Sequence, residues 1–145
     1  MALKNYTTKV PTNRSVQEIQ EMLIQAGASG VLMEYEQGTG RIAGLSFQIS
    51  FEDKKVNFKL PLEWRNAQEV MSQEGNPRAS DDDYSYRVAW RILRDWVDVQ
   101  CALIAIKQVQ LQQVFLPYAV YKNGKTVYES MLENPDSGLL LGDGK

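Results

Sequence analysis

The fold is decided by residues 45–60, LSFQISFEDKKVNFKL, in which apolar and polar side chains alternate. The apolar positions are Leu45, Phe47, Ile49, Phe51, Val56, Phe58 and Leu60. A period of two is typical of half-buried β-strands, and the polar residues 52–54 predict a tight connection between two of them. Residues 31–35 repeat the period upstream, joined through the glycine-rich residues 37–40. The stretch therefore predicts a three-stranded antiparallel meander with one buried face and one solvated face.

A helix is expected before this sheet. Ser15 and Glu18 match the S-x-x-E capping box, and Gly27 suits the left-handed position that ends a helix. The apolar positions between them share one helical face: Val16, Ile19, Leu23 and Ala26. This segment is therefore predicted to be a core helix that follows a polar, extended N-terminal arm.

Helices are also expected after the sheet. Pro61 is predicted to end the third strand and open a helix with Trp64, Ala67 and Met71 on one side. Residues 74–83 show no periodicity and predict a mobile loop. The longest helix is predicted from about Tyr84 to about Lys107.

The segment from residue 108 to residue 133 allows two interpretations. Residues 111–118 fit a short helix, and Thr126 with Glu129 forms a second capping box before another helix. The alternative is an Asn-Gly hairpin between residues 119–122 and 125–128.

These elements predict an α+β fold. It has an N-terminal helix, a three-stranded antiparallel β-meander and a C-terminal helical half with one long central helix. We expect residues 1–133 to form a single domain and residues 134–145 to form a flexible tail. The segment Val97 to Ile106 is apolar on nearly all sides, which predicts either a central core position or a seam between subunits.

Composition argues against most catalytic chemistry. The chain has 145 residues, no histidine, and 16 Lys plus Arg against 18 Asp plus Glu. Histidine triads, His-ligated zinc and a globally basic nucleic-acid binder are excluded. The single cysteine, Cys101, is expected to be a buried thiol. We therefore predict a protein that is not an enzyme, with no catalytic residue, no metal and no cofactor.

Arginines form the most informative motif of the sequence. Arg87, Arg91 and Arg94 recur at i, i+4 and i+7, so the predicted helix presents them on one face. A row of guanidinium groups suits phosphate, and neighbouring aromatic rings could stack on bases. Those candidate stacking residues are Tyr84, Tyr86 and Trp90. The row therefore predicts a phosphate or nucleotide site.

The same row has a purely structural alternative. Arg91 with Asp95, and Arg94 with Asp98, are opposite charges at the i, i+4 spacing. Such pairs stabilise a helix surface by a few tenths of a kcal/mol each. On this interpretation the row is an ordinary salt-bridged face.

Lys54, Lys55 and Lys59, with Arg41 as a possible neighbour, form a second basic cluster on the solvated face of the sheet. Lysines of this kind commonly prevent pairing between sheets. If they shared a cleft with the arginine row, a polyanion site would result. The acidic run at residues 81–83 is interpreted as helix capping rather than as a metal site.

Four segments together resemble small proteins of tailed bacteriophages and prophages. They are residues 5–8 (NYTT), 87–97 (RVAWRILRDWV), 115–118 (FLPY) and 123–129 (NGKTVYE). The resemblance implies a setting in the bacterial cytoplasm during infection or lysogeny. It implies no catalytic residue.

Three functions fit that setting. The first is capture of a phosphate-bearing nucleotide, such as an immune signal of the host, by a homo-oligomer in counter-defence. The second is binding of single-stranded nucleic acid in phage replication or recombination. The third is inhibition of a host enzyme by direct contact. We expect a cytoplasmic protein, because the N-terminus is polar and no apolar run approaches the ~20 residues of a membrane span.

Overall fold

The computed structural model describes residues 2–134, in which five α-helices accompany one antiparallel sheet. The elements in chain order are α1 (Thr12–Gln25), β1 (Gly30–Tyr35), β2 (Ile42–Phe51), β3 (Lys54–Lys59), α2 (Trp64–Gln73), α3 (Asp82–Ala105), α4 (Leu111–Phe115) and α5 (Val127–Glu133). Short 3-10 helices lie at Pro77–Ser80 and Leu116–Tyr118. The predicted α+β fold, with its N-terminal helix and long central helix, is confirmed.

The sheet is the predicted meander, with strand order β1-β2-β3. Phe47 lies at its centre, paired in register with Val31 on one side and with Phe58 on the other. The Phe47 and Phe58 rings stack with centroids 5.0 Å apart. The alternation of residues 45–60 thus turns Phe47 and Phe58 toward the helices and the polar side chains toward solvent. Phe51, at the end of β2, is instead 53% exposed.

Helices α1 and α3 cover the inner face of the sheet. Ile19 and Leu23 of α1, and Trp90 and Val97 of α3, are fully buried and belong to one cluster with Phe47. The large apolar side chains of this layer account for the main stabilisation, at about 25 cal/mol for each Å² of apolar surface removed from water. In the described part of the chain, no helix combines the length and the apolarity needed to cross a membrane.

The predicted start of the first helix is wrong. Helix α1 begins at Thr12 with Pro11 in the N-cap position, and no side chain caps it. Ser15 is instead fully buried inside the helix, and Glu18 is turned toward α3. A long-range partner for Glu18 therefore prevails over the local capping pattern.

The segment predicted as a mobile loop is an ordered turn. Asn76 caps the 3-10 helix Pro77–Ser80 by accepting a hydrogen bond from the backbone N–H of Arg78. Ala79 is buried against Met71 and Tyr84, which fixes the turn on the helical layer. Upstream, α2 begins at Trp64 rather than at Pro61, because Glu63 supplies its N-cap.

The segment after α3 combines both interpretations. Helix α4 and the Thr126–Glu129 capping box are present as predicted. Between them, Val120 and Thr126 form one antiparallel bridge around the Asn123-Gly124 turn. The Val120 N–H also donates to the Asn57 carbonyl, which covers the outer edge of β3. The predicted tail, apart from Asn134, lies outside the described residues.

Candidate functional site

The arginine row of α3 is largely engaged by carboxylates. Arg94 donates from Nε to Glu18 at 2.8 Å and from Nη1 to Asp98 at 2.8 Å. It also contacts Asp95 at 3.3 Å. The predicted Arg94–Asp98 pair is confirmed, and three carboxylates leave Arg94 little capacity for a phosphate.

Arg91 pairs differently from the prediction. Its Nη1 lies 3.3 Å from Glu18 and makes no ion pair with Asp95 among the described residues. Partial burial would raise the pKa of Glu18, but the hydrogen bond from Arg94 and the charge of Arg91 lower it below its usual value. Glu18 is therefore the charged centre that joins α1 to α3.

Two of the three candidate stacking rings are buried. Trp90 is 0% exposed, and Tyr84 is 1% exposed. Tyr86 is half-buried and its hydroxyl accepts a hydrogen bond from the Ile42 N–H at 2.8 Å. Trp90 and Tyr84 belong to the core in this conformation, which corrects their interpretation as stacking surfaces.

The second basic cluster does not meet the arginine row. Lys55 and Lys59 alternate with the inward-facing Val56 and Phe58, so they lie on the outer face of the sheet, opposite α1 and α3. Lys54 is exposed at the β2–β3 turn. The sheet therefore separates the lysines of the second cluster from the arginine row of α3.

Arg41 lies apart from those lysines, in a cluster that the sequence did not reveal. Its guanidinium donates to Asp83 at 2.8 Å and faces the Trp64 ring at 5.3 Å. Arg65 covers the same indole at 4.4 Å, and its hydrogen bonds to Glu36 lower the pKa of that carboxyl to about 2. Each of these two arginines is paired, so the cluster joins the β1–β2 turn to α2 and α3 rather than offering a site.

The arm cleft is a cavity of about 730 Å³ between the N-terminal arm and the turn after α2. Its lining residues are Ala2, Tyr6, Thr7, Lys9, Glu74, Gly75, Asn76, Pro77, Arg78 and Tyr84. This volume is in the range of small-molecule sites.

The arm is fixed to the helical layer by polar contacts. Asn5 donates from Nδ2 to Asp95 at 2.8 Å, and the Leu3 N–H donates to Glu74 at 3.1 Å. The Tyr84 hydroxyl donates to the Tyr6 carbonyl. Burial would raise the pKa of Asp95, but hydrogen bonds from Asn5 and Arg94 lower it overall. The N-terminal arm, which forms one wall of the cleft, is thus held against the helical layer by hydrogen bonds.

Two arginines approach the ring of Tyr84, and of the two only Arg78 is among the lining residues of the arm cleft. The guanidinium of Arg78 lies 4.0 Å from the Tyr84 ring centroid, and that of Arg87 lies 5.8 Å from it. Unlike Arg91 and Arg94, neither of them, nor Lys9, forms an ion pair with a carboxylate among residues 2–134. Of the predicted row, only Arg87 therefore retains an unneutralised charge in the described structure.

The sequence argument missed Arg78 because the segment around it lacks periodicity. A signal was nevertheless present: Asn76 and Pro77 are a cap and a first-turn residue, which together indicate an ordered turn. The turn also contacts the N-terminal arm through the Leu3–Glu74 hydrogen bond, which spans 71 positions and so leaves no pattern in the local sequence.

The acidic run before α3 serves the helix start, as predicted. Asp81 accepts a hydrogen bond from the Tyr84 N–H, Asp82 accepts one from Gln68, and Asp83 pairs with Arg41. Within residues 2–134, no three His, Cys, Asp or Glu side chains gather in a way that could hold a metal ion.

Comparison of the chain with protein-family models, curated protein sequences and solved structures finds no match. The resemblance to phage proteins therefore stays a prediction.

Proposed function

We propose that this chain is a binding protein that captures a small phosphate-bearing molecule in the arm cleft, without transforming it. The observation that carries the proposal is the position of Arg78. Its guanidinium stands over the Tyr84 ring at the wall of a cavity of about 730 Å³ and has no carboxylate partner among the described residues. A guanidinium offers five N–H donors in a geometry that matches phosphate oxygens.

The charge of the cleft favours an anion. Lys9 and Arg78 line it, and Arg87 approaches the same tyrosine from α3. Glu74 is the one acidic lining residue, and one of its oxygens already accepts the Leu3 N–H. The side chains that line the cleft therefore carry a net positive charge, although the whole chain has a net charge of −2.

A planar group next to the phosphate would also be accommodated. The Tyr6 side chain lines the cleft and is 44% exposed, so its ring can stack on a base. Tyr6 is therefore the proposed stacking residue, in place of Tyr84 and Trp90, which the sequence had suggested. A mononucleotide therefore fits the cleft in size, in charge and in its aromatic contact.

The absence of histidine supports capture rather than catalysis. Sequestration needs affinity and an enclosed site, and it needs no group that accepts a proton near neutral pH. The expected role against a host nucleotide signal remains consistent with this chemistry. Binding of single-stranded nucleic acid has less support, because the lysine cluster and the arginine row lie on opposite sides of the sheet.

The proposal is tested by native mass spectrometry of the purified protein, followed by thermal unfolding with inorganic phosphate and a panel of nucleoside phosphates. Ligands that bind the folded state raise the melting temperature. We expect a nucleoside phosphate to do so for the wild type and for Arg14→Ala, and to have little effect on Arg78→Ala. Arg14 is the matched control, because its side chain is 72% exposed on α1, away from the cleft. Equal shifts for Arg78→Ala and the wild type, or no shift with any compound, would refute the proposal.

A further inference from the structure

The N-terminal arm contains residues that dock it and residues that line the arm cleft, and these are different residues. Leu3 and Asn5 form hydrogen bonds that hold the arm on the helical layer, and neither of them lines the cleft. Tyr6 and Thr7 do line it. The docking of the first pair therefore determines whether the second pair stands at the cleft.

Residues 3–8 form a compact turn, which we call the hook. The Tyr6 N–H donates to the Leu3 carbonyl at 3.2 Å, and the Thr8 N–H donates to the Asn5 carbonyl at 2.9 Å. Asn5 has a φ of 65°, a left-handed conformation that asparagine adopts more readily than most residues. Because these hydrogen bonds lie within the hook, it can leave the helical layer and keep its shape.

The hook is held by surface contacts rather than by a core. None of residues 2–10 is buried, whereas Tyr84, which also lines the cleft, is 1% exposed. Leu3 is partly buried against the cluster that contains Met71 and Val88. Segments with few buried apolar contacts open locally at a lower free energy than the core does. The arm is therefore the wall of the cleft that opens first.

Asp95 anchors the hook from outside the cleft. Its carboxylate accepts a hydrogen bond from Asn5 Nδ2 at 2.8 Å and lies 3.5 Å from Lys4 Nζ. The anchors Glu74 and Tyr84, in contrast, line the cleft themselves. Asp95 is not a lining residue, so it acts on a molecule in the cleft through the arm.

We propose that the N-terminal arm is the lid of the arm cleft and that Asp95 is the positioning residue that latches it. The inference rests on the proposed capture of a phosphate-bearing molecule in this cleft. A nucleotide held by Arg78 contacts Tyr6 only when the hook is docked, so it binds the docked state more tightly. Binding and docking therefore stabilise each other by the same factor.

The lid and the phosphate contact make separable contributions to affinity. A nucleotide enters when the hook undocks and is retained when the hook docks. Affinity falls in proportion to the fraction of molecules whose hook is docked. A change at Asp95 lowers that fraction without removing a group that touches the nucleotide. A change at Arg78 removes such a group and leaves the docking of the free protein unaltered.

The test compares the hydrogen exchange of one amide, followed by NMR, with affinity measured by isothermal titration. The probe is the nucleoside monophosphate that raises the melting temperature most. The Leu3 N–H donates to Glu74, so its exchange reports undocking of the hook. In the wild type, the probe at ten times its Kd is expected to slow this exchange about tenfold.

Asp95→Ala is expected to speed the exchange of the Leu3 amide in the free protein. It should also weaken binding about tenfold, because the hook is then undocked in most molecules. Arg78→Ala is expected to lose affinity and to keep the wild-type exchange rate without the probe. If circular dichroism shows that Asp95→Ala is unfolded, Asn5→Ala replaces it, since it removes the same hydrogen bond from the side of the hook.

Asp98→Ala is the matched control. Asp95 and Asp98 both pair with Arg94, and Asp98 makes no hydrogen bond or ion pair with the hook in the described part of the chain. This variant is expected to keep both the exchange rate of the Leu3 amide and the affinity of the wild type.

Three results would overturn the lid and leave nucleotide capture standing. They are binding that does not slow the Leu3 amide, wild-type affinity in an Asp95→Ala protein whose hook exchanges faster, and equal losses of affinity in Asp95→Ala and Asp98→Ala. Unchanged exchange in free Asp95→Ala would show that Asp95 is not the latch. If no nucleoside monophosphate binds the wild type, the proposed function fails and the lid fails with it.

Discussion

Glu18 accepts a hydrogen bond from Arg94 Nε at 2.8 Å, across 76 positions of the chain. With Arg91 on the same carboxylate at 3.3 Å, this contact fixes α1 alongside α3. It also determines which arginines of the row can meet a ligand. The two that pair with Glu18 are structural, whereas Arg87 approaches the ring of Tyr84, one of the residues that line the arm cleft.

Removing the charge of Glu18 should therefore destabilise the fold. In Glu18→Gln, the guanidinium groups of Arg91 and Arg94 lose a shared, partly buried carboxylate. We expect a loss of about 1–2 kcal/mol, between the values for exposed and buried ion pairs. Urea unfolding measures it, and Glu21→Gln, an exposed position on the same helix, is expected to change the free energy of unfolding by less than about 0.5 kcal/mol. A similar loss in both variants would mean that the pairing is not the cause.

Glu36 should make stability depend on pH in an acidic window. Hydrogen bonds from Arg65 hold its pKa at about 2, below the ordinary value of 4.5. A depressed folded-state pKa contributes stability that is fully present above about pH 4.5 and is lost as the pH falls toward 2. The difference in unfolding free energy between wild type and Glu36→Gln should therefore be constant near pH 6 and shrink between pH 4.5 and 2. A difference that grows on acidification would contradict the assignment.

Trp90 should behave as a core residue. Its ring is fully buried, and its Nε1 has no hydrogen-bond partner among the described groups. We expect Trp90→Ala to lower the free energy of unfolding by about 3–5 kcal/mol. Chemical unfolding provides the measurement, with Ile24→Ala as the control, because Ile24 of α1 is 60% exposed. A loss below about 1 kcal/mol would be incompatible with the burial described.

The N-terminal arm should be anchored by Asn5. This residue has a positive φ of 65° and holds Asp95 through its side chain. Asn5→Ala loses the hydrogen bond and strains the backbone, at a cost of about 1–2 kcal/mol. Asn5→Gly keeps the backbone conformation and should cost less. Faster hydrogen exchange of the amides of residues 3–8 in Asn5→Ala is the direct readout, and unchanged exchange would show that the arm is held by other contacts.

The sequence was sufficient for elements with a strong internal period. The alternation of residues 45–60 determined the meander, and the Thr126–Glu129 capping box determined the start of α5. Ser15 and Glu18 show the limit of such patterns, because the same residue types at the same spacing can form a local helix cap or pair with a distant arginine. Sequence spacing alone could not decide between these partners.

The candidate site was predictable only in part. Arg87 could be identified from its spacing, but the cleft depends on an arm that docks near residue 95 and on a turn at residues 74–78. Both contacts join distant segments and leave no periodicity. Tyr84 and Trp90 are likewise buried because α2 and the sheet pack against them. The presence of an aromatic residue in a helix does not by itself predict whether its ring is buried or exposed.

Isothermal titration of one nucleoside monophosphate into the wild type, Arg78→Ala, Arg87→Ala and Arg91→Ala tests the central claim most directly. If capture occurs in the arm cleft, the wild type binds one molecule per chain. Arg78→Ala then weakens binding at least tenfold, and Arg87→Ala weakens it less. Arg91→Ala keeps the wild-type affinity, because the Arg91 side chain pairs with Glu18 and does not contact the ligand. Wild-type affinity in Arg78→Ala, or a loss confined to Arg91→Ala, would contradict the account.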